Sequence, residues 1–300
     1  MIKIKLLGTS AGGGLPQWNC NCQNCDHARH NVIPSRTQSS IAITEDNKKW
    51  VLINASPDIR YQINNNPDIS YNHSGKIRDN RFDSIILLDG QLDHTLGLLS
   101  MREGNPLNVY CTNAVNRQLT SELGITKVMN SYCGINYNEI NPNVMFSISS
   151  LGNMEFIPVN IESNSPKYSD DRDKIVYGTN IGLIILNRIT GCSLFYAPGL
   201  KEITPVISRV LESVTHVLID GTCWDNDELV KLGISNSSAR DMGHIPQSES
   251  VYVLSKYKSL KKILIHINNT NPILNPGSPQ YKELGLHDIE LSTDNQDIYL

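Results

Sequence analysis

The most informative stretch of the sequence runs Ser84-Ile85-Ile86-Leu87-Leu88-Asp89-Gly90-Gln91-Leu92-Asp93-His94-Thr95-Leu96-Gly97-Leu98. Its first five residues predict a buried strand, and the spaced apolar residues after His94 predict a helix. A short acidic loop lies between them and ends in the pair Asp93-His94. Because α/β proteins place their functional groups at the carboxyl ends of strands, this loop is the first candidate for a functional site.

Further strand-like runs lie on both sides of this stretch. They are Ile2–Leu7, Ser40–Thr44, Trp50–Asn54, Leu107–Cys111, Met154–Asn160, Val176–Asn187, Cys192–Ala197, His216–Asp220 and Lys262–Ile267. Helical patterns occur at residues 96–101, 115–123 and 248–254, and the polar residues 163–174 predict an exposed loop. Each half of the chain pairs strands by hairpins and then adds helices. The sequence therefore predicts two facing β-sheets with helices outside, in one domain over residues 1–300.

Charge and hydropathy limit the classes of partner. The 300 residues carry 26 Lys and Arg against 30 Asp and Glu, a net charge of -4, with no basic block for nucleic acid. The amino terminus does not resemble a signal peptide, and no apolar run approaches the length of a membrane span. These features predict a cytoplasmic protein that binds neither nucleic acid nor membrane. A homodimer is compatible with the sequence, which does not determine the oligomeric state.

Three of the seven cysteines, Cys20, Cys22 and Cys25, fall within six residues. Thiolates this close suit three corners of a tetrahedral zinc site better than a disulfide framework, so a zinc loop is predicted at about residues 16–30. Three free thiols are the alternative. The fourth ligand is left open among four histidines, two near in the chain and two distant: His27, His30, His244 and His287.

The loop after the strand that begins at Ser84 resembles a metal motif. In the metallo-β-lactamase superfamily the motif is His-x-His-x-Asp-His, and here its final pair is retained as Asp93 and His94. Its first two histidines are replaced by Asp89 and Gln91. The resemblance implies an αββα sandwich, and the replacements argue against an intact centre with two zinc ions.

Other positions of the superfamily can be compared in the same way. His266 ends a strand, as the last metal ligand of the superfamily does, whereas Phe195–Gly199 lacks the bridging aspartate. Asp220 also ends a strand, and His244 resembles a histidine that the ribonuclease Z branch places near its site. Asp220 and His244 are thus candidates either for proton transfer or for contacts that support the metal ligands. Each residue alone has a structural explanation, but His266 combined with the Asp93-His94 pair favours a metal role.

Within that superfamily, the chain resembles the coenzyme PQQ (pyrroloquinoline quinone) biosynthesis protein B family over nearly its whole length. The segments that carry the resemblance are Gly8–Cys22, Arg36–Ser40, Asn54–Asp58, Asp89–His94, Tyr196–Gly199, Asp220–Thr222 and His266–Pro272. The resemblance implies a structural zinc bound by cysteines and a mononuclear iron site. It also implies an iron- and O₂-dependent hydroxylase that oxidises the tyrosine part of a Glu-Tyr-derived intermediate toward the quinone.

The residue types agree with that implication. Two histidines and one carboxylate on Fe(II) leave up to three coordination positions open, enough for O₂ and a phenol or catechol. An aromatic substrate that carries carboxylates also needs cations, and Arg36, Arg60 and Arg102 are candidates. An ordinary ion pair at the surface or within the fold is the equally weighted alternative for each arginine.

Two functions from other classes are also compatible with the sequence. One is a zinc hydrolase of the same fold that cleaves a phosphodiester, lactone or peptide-like bond, and the replacements at Asp89 and Gln91 argue against it. The other is a non-catalytic carrier of the quinone or its precursor. Retention of Asp93, His94 and His266 argues against the carrier.

Overall fold

In the computed structural model, which describes residues 2–70, 75 and 77–300, thirteen strands form two mixed β-sheets. The strands are β1 (Lys3–Gly8), β2 (Ser40–Thr44), β3 (Trp50–Ile53), β4 (Phe82–Ile86), β5 (Leu107–Cys111), β6 (Ile135–Glu139), β7 (Met154–Asn160), β8 (Ile181–Asn187), β9 (Ser193–Ala197), β10 (His216–Asp220), β11 (Lys261–Ile265), β12 (Ile289–Leu291) and β13 (Asp297–Tyr299). The first sheet has the order β13-β1-β2-β3-β4-β5-β6, and the second has the order β12-β11-β10-β9-β8-β7.

Both faces of each sheet are apolar, because the strands carry apolar side chains that point alternately to one face and to the other. In β2, Ile43 points into the cluster between the sheets and Ala42 into the cluster under the helices. In β10, Leu218 and Ile219 divide in the same way between the inner and outer clusters. Because successive side chains in a strand point to opposite faces, strands buried on both faces carry continuous apolar runs.

Helices cover the two outer faces. They are α1 (Gln23–Arg29), α2 (Ile59–Asn64), α3 (Pro67–Ser70), α4 (Leu92–Thr95), α5 (Gly97–Ser100), α6 (Asn113–Arg117) with a π-helical turn (Gln118–Glu122), α7 (Ile125–Met129), α8 (Pro205–Ser213), α9 (Glu228–Lys231), α10 (Gln247–Leu254) and α11 (Pro279–Leu286), with 3₁₀ turns at Arg240–Met242 and Pro272–Leu274. The start of α8 follows from its sequence, since the Thr204 hydroxyl accepts from the Ile207 N–H and Pro205 occupies the first turn. Within the described ranges, none of these helices is long and apolar enough to cross a lipid bilayer.

The parallel pairing of strands determines where the candidate functional site lies. Strands β3 to β6 run parallel to one another in one sheet, and β9 to β12 run parallel to one another in the other. The carboxyl ends of β4, β10 and β11 therefore meet at one edge of the sandwich, where the segments that follow them are in contact.

The predicted αββα sandwich is confirmed, and most differences from the predicted elements are at edges and termini. The short strands β6, β12 and β13 were not predicted. The strand predicted from Val176 begins only at Ile181, because residues 176–179 form a turn in which the Thr179 N–H donates to the Val176 carbonyl at 3.1 Å. The prediction of a polar cysteine loop is partly wrong: α1 begins at Gln23 and buries Cys25. The prediction of an exposed loop at 163–174 is also partly wrong, since its serines at 163, 165 and 169 are buried.

Candidate metal centre

Asp93, His94 and His266 lie together at the meeting edge of the two sheets. One ligand atom from each lies within 4.8 Å of the others. The His266 Nε2 atom is 3.1 Å from the Asp93 Oδ2 atom, and the His94 Nε2 atom is 3.8 Å from that same oxygen. Asp93 and His94 belong to the single-turn helix α4 just after β4, and His266 directly follows β11. The structure thus brings together the three residues predicted as iron ligands.

Asp89 orients His94 toward this cluster. Both carboxylate oxygens of Asp89 lie 2.9 Å from the His94 Nδ1 atom, so Nδ1 carries a proton and donates it. The opposite atom, His94 Nε2, is buried and has no hydrogen-bond partner within the described part of the chain. A buried imidazole nitrogen that has no hydrogen-bond partner and lies beside a carboxylate fits a cation, which would take the place of a proton on Nε2. Asp89, which replaces the first histidine of the motif, therefore positions a ligand, a role that the sequence analysis missed.

The electrostatics of the cluster favour an ionised carboxylate. Burial would raise the pKa of Asp93, but the adjacent His94 charge and the hydrogen bond and charge of His266 hold it well below its usual range. Burial would likewise lower the pKa of His94, but the charges of Asp89 and Asp93 raise it to about 9. The two carboxylates thus attract positive charge to this place, and a metal ion would replace the proton that they favour on His94.

Thr222 fixes the ring of His266. The Thr222 hydroxyl donates to the His266 carbonyl oxygen at 2.9 Å and lies 3.0 Å from the His266 Nδ1 atom. Since its one hydrogen is used by the carbonyl, the hydroxyl accepts from Nδ1 and leaves Nε2 free to face Asp93. His266 has a φ of 61°, in the left-handed region that histidine seldom adopts, and the bond to its carbonyl holds this conformation. Thr222 was not predicted; its position two residues after Asp220 at a strand end was the available signal.

Asp220 acts through His244 and does not face the cavity. Asp220 is 0% exposed and accepts from the N–H groups of Leu200 at 2.8 Å and Thr222 at 2.9 Å. The His244 Nδ1 atom donates to it at 2.6 Å, and the His244 ring stacks on His266 with 5.2 Å between centroids. Burial would lower the pKa of His244, but the Asp220 charge and hydrogen bond raise it. Of the two candidates for proton transfer, His244 lines the cavity, whereas Asp220 lies behind it and positions its ring.

A cavity of about 710 Å³ opens over the three predicted ligands. This volume lies within the range of small-molecule sites. One wall comes from residues 163–173, the segment between β7 and β8, which contributes Lys167, Tyr168 and Arg172. Another comes from Met242, Gly243 and His244.

The three arginines predicted to bind substrate do not line this cavity. Arg36 is buried and donates to the Thr9 hydroxyl and the Ser292 carbonyl, so it stabilises the fold. Arg60 lies on the exposed side of α2. Arg102 lies over the ring of Tyr132, 5.5 Å from its centroid. Sequence position alone could not separate these cations from Lys167 and Arg172.

Cys20, Cys22 and Cys25 form a second cluster, with their sulfur atoms within 4.8 Å of one another and no disulfide between them. The side-chain amide of Asn269 faces all three sulfurs, with its Nδ2 atom at 3.1 Å from Cys20, 3.2 Å from Cys25 and 3.6 Å from Cys22. The carbonyl of Asn269 is in turn held by the Asn24 amide at 2.9 Å. Burial is the main cause that raises the pKa of the Cys22 thiol, to about 12.

Asn269, three residues after His266, lies beside the three sulfurs and donates to them through its amide, and the fourth zinc ligand stays open. None of the four histidines joins the cluster. His30 bonds the Asp26 carbonyl, His287 packs edge-on against Tyr252, and His244 belongs to the other site. His27 lies on α1 without a place among the sulfurs.

Comparisons with known proteins agree with this geometry. The model of the "Beta-lactamase superfamily domain" matches residues 49–267. "Coenzyme PQQ synthesis protein B" of Azoarcus sp. (strain BH72) is 43% identical over 300 residues, covering 98% of each chain. The protein of the same name from Acinetobacter baumannii (strain AYE) is 44% identical over 305 residues, covering 100% of each chain. The chain belongs to the coenzyme PQQ synthesis protein B family.

Membership in this family gives the chain a role in PQQ biosynthesis on a metallo-β-lactamase fold. Among solved structures, Zn²⁺-bound PqqB from Methylobacterium extorquens superposes with a TM-score of 0.89 at 28% identity, covering 99% of this chain and 100% of that one. A diphosphatase of the PhnP family superposes with a TM-score of 0.69 at 18% identity and shares the fold. The predicted family and fold are therefore confirmed.

Proposed function

We propose that the protein is an iron- and O₂-dependent hydroxylase that acts on a tyrosine-derived (Glu-Tyr-derived) intermediate of PQQ biosynthesis. The observation that carries the proposal is the donor set of one carboxylate and two imidazoles, Asp93, His94 and His266. This set is typical of non-haem Fe(II) oxygenases. Asp89 supports it, because its carboxylate is bound to His94 and does not add a ligand for a second metal.

Fe(II) held by these three side chains would supply the activation of O₂ for oxidation of a phenol ring. Asp93 contributes the negative charge of the set, and Asp89 and Thr222 keep the two imidazoles in the tautomer whose Nε2 faces the centre. His244, with Nδ1 bound to Asp220, directs its Nε2 atom toward the cavity and is the group we assign to proton transfer at that atom.

The Cys20, Cys22 and Cys25 cluster is assigned a structural zinc. Three thiols that converge in one loop are the ligand type zinc prefers, and zinc binding deprotonates them whatever their pKa in the free protein. Residues of this cluster do not line the cavity over Asp93, so its metal fixes the amino-terminal loop against the segment after His266.

The test is O₂ uptake by protein loaded anaerobically with Fe(II), with ascorbate as electron donor and a tyrosine- or catechol-bearing amino acid as substrate. We expect O₂ consumption and a product heavier by one oxygen atom, both lost in Asp93→Ala. If zinc-loaded protein instead hydrolyses phosphodiesters or lactones at a substantial rate while iron-loaded protein consumes no O₂, the hydroxylase proposal is wrong and a hydrolase replaces it. Binding of such substrates without either reaction would indicate a carrier.

A further inference from the structure

Residues 163–173, here called the β7–β8 loop, are folded onto the metal centre. The Tyr168 hydroxyl donates to the Gly90 carbonyl at 2.6 Å, in the loop that leads to Asp93. The Ser165 hydroxyl lies 3.1 Å from that of Thr179, which also accepts from the Gln118 amide at 2.8 Å. These buried contacts fix the loop as a wall of the cavity, so its side chains hold defined positions relative to the metal ligands.

Gly90 is the residue that permits this approach. A Cβ atom at position 90 would lie 2.3 Å from the Gln118 Oε1 atom and 2.8 Å from the Tyr168 hydroxyl. Any larger residue would push Tyr168 away from the centre. Gly90, in the altered metal motif, therefore leaves the space that Tyr168 occupies, 78 positions later in the chain.

The cations of the cavity come from the same loop. Lys167 and Arg172 line the cavity, and within the described residues Lys167 forms no ion pair. The Arg172 side chain pairs with the exposed Asp173 through its Nε atom at 3.3 Å, its one ion pair in the part of the chain that the structure describes. Of the acids in the lining, Asp89 and Asp93 belong to the metal centre, Asp241 accepts from the N–H of Ser238 at 2.9 Å, and Asp173 is the partner of Arg172. Among the described residues, Lys167 thus offers the cavity an unpaired ammonium group, and Arg172 offers the Nη atoms that its contact with Asp173 does not use.

We propose that the β7–β8 loop is the substrate-recognition element, in which Lys167 and Arg172 bind a carboxylate of an aromatic amino acid and Tyr168 packs against its ring. The inference rests on the proposed function, because it places the phenol end of that substrate toward Asp93, His94 and His266. A carboxylate entering a partly dry cavity needs charged donors, and lysine and arginine bind it through charge-assisted hydrogen bonds. An offset aromatic contact aligns the ring.

The chain contains a matched control. Lys174 follows the loop directly but does not line the cavity, and its Nζ atom is 2.8 Å from Asp171. Lys174→Ala removes one positive charge from the same segment without removing a cation from the cavity. An effect of overall charge and an effect of carboxylate recognition are therefore separable.

The experiment measures binding of tyrosine and of tyrosinamide, which lacks the carboxylate, by calorimetry with zinc-loaded protein, so that no oxidation occurs. We expect unaltered protein to prefer tyrosine. The double variant Lys167→Ala/Arg172→Ala should bind tyrosine roughly 10- to 100-fold more weakly, as for loss of hydrogen bonds to charged groups, and tyrosinamide unchanged. Lys174→Ala should bind both as the unaltered protein does.

Three results would overturn the inference: no tyrosine binding by unaltered protein, no loss in the double variant, or an equal loss in Lys174→Ala. Its failure is distinguishable from failure of the hydroxylase proposal. Tyrosine binding that depends on Lys167 and Arg172 without O₂ consumption by iron-loaded protein retains the recognition loop and rejects the hydroxylase. Hydroxylation with a KM that is unchanged in the double variant retains the hydroxylase and rejects the recognition loop.

Discussion

Replacement of Asp89 by alanine tests whether this residue positions a metal ligand. Both of its oxygens lie 2.9 Å from the Nδ1 atom of His94, a side chain that is only 2% exposed. In Asp89→Ala the Nδ1–H loses its partner in a buried setting, which costs about 1–3 kcal/mol and frees the ring to change tautomer or rotate. Loss of such outer-shell partners typically weakens metal binding about 10- to 100-fold. This range corresponds to about 1.4–2.8 kcal/mol.

The assay is anaerobic titration of Fe(II) against a competing chelator, with thermal unfolding of the metal-free protein alongside to establish that the variant is folded. Asp89→Asn keeps a neutral acceptor for Nδ1 and should lose less affinity than alanine. Asp241→Ala removes another carboxylate of the cavity lining that has no contact with the metal ligands, and should leave the affinity unchanged. A folded Asp89→Ala protein that binds Fe(II) within twofold of the unaltered protein would refute the positioning role.

Five further variants test the roles assigned to the residues of the two sites. His94→Ala and His266→Ala should each lose the metal of the active centre and keep one zinc per chain by metal analysis; loss of both metals from folded protein would show that the sites are coupled. Cys22→Ser should lose zinc and lower the Tm, since binding energy at such a site is folding energy, while the protein that stays folded keeps its O₂ uptake. A zinc content of one per chain would contradict this. Thr222→Val should weaken Fe(II) binding by about tenfold and Thr222→Ser should restore it, because serine keeps the hydroxyl that accepts from His266 Nδ1; equal affinities in the two variants would argue against that role.

The strands and the metal ligands were predictable because their signals are local. Runs rich in apolar and β-branched residues, such as Leu107–Cys111 and His216–Asp220, were predicted with their observed bounds, since these residue types favour strands. The Asp93-His94 pair and the cysteines at 20, 22 and 25 were found from spacing within six residues. The short strands β12 and β13 carry too few residues for a periodic pattern, and they form by pairing with β11 and β1.

The partners of the ligands were not predictable in the same way. Asn269 reaches the three cysteines across 244 to 249 positions of sequence, and nothing in its own surroundings distinguishes it from the many other asparagines. The sequence made Arg36 a candidate for substrate binding, but its hydrogen bond to the Ser292 carbonyl places it inside the fold. A side chain's role here depends on which distant segment packs against it.

The sequence by itself determined that the chain forms two facing sheets and that one carboxylate, two imidazoles and three thiols are available for metals. Apolar alternation and ligand spacing are properties of neighbouring residues, so they can be read along the chain. Only the tertiary structure decided that Asp89 holds His94, that Thr222 holds His266, and that Lys167 and Arg172 are the cations of the cavity. These roles arise where loops after different strands meet at one edge of the sandwich, and that meeting is set by the packing of the sheets and not by any one segment.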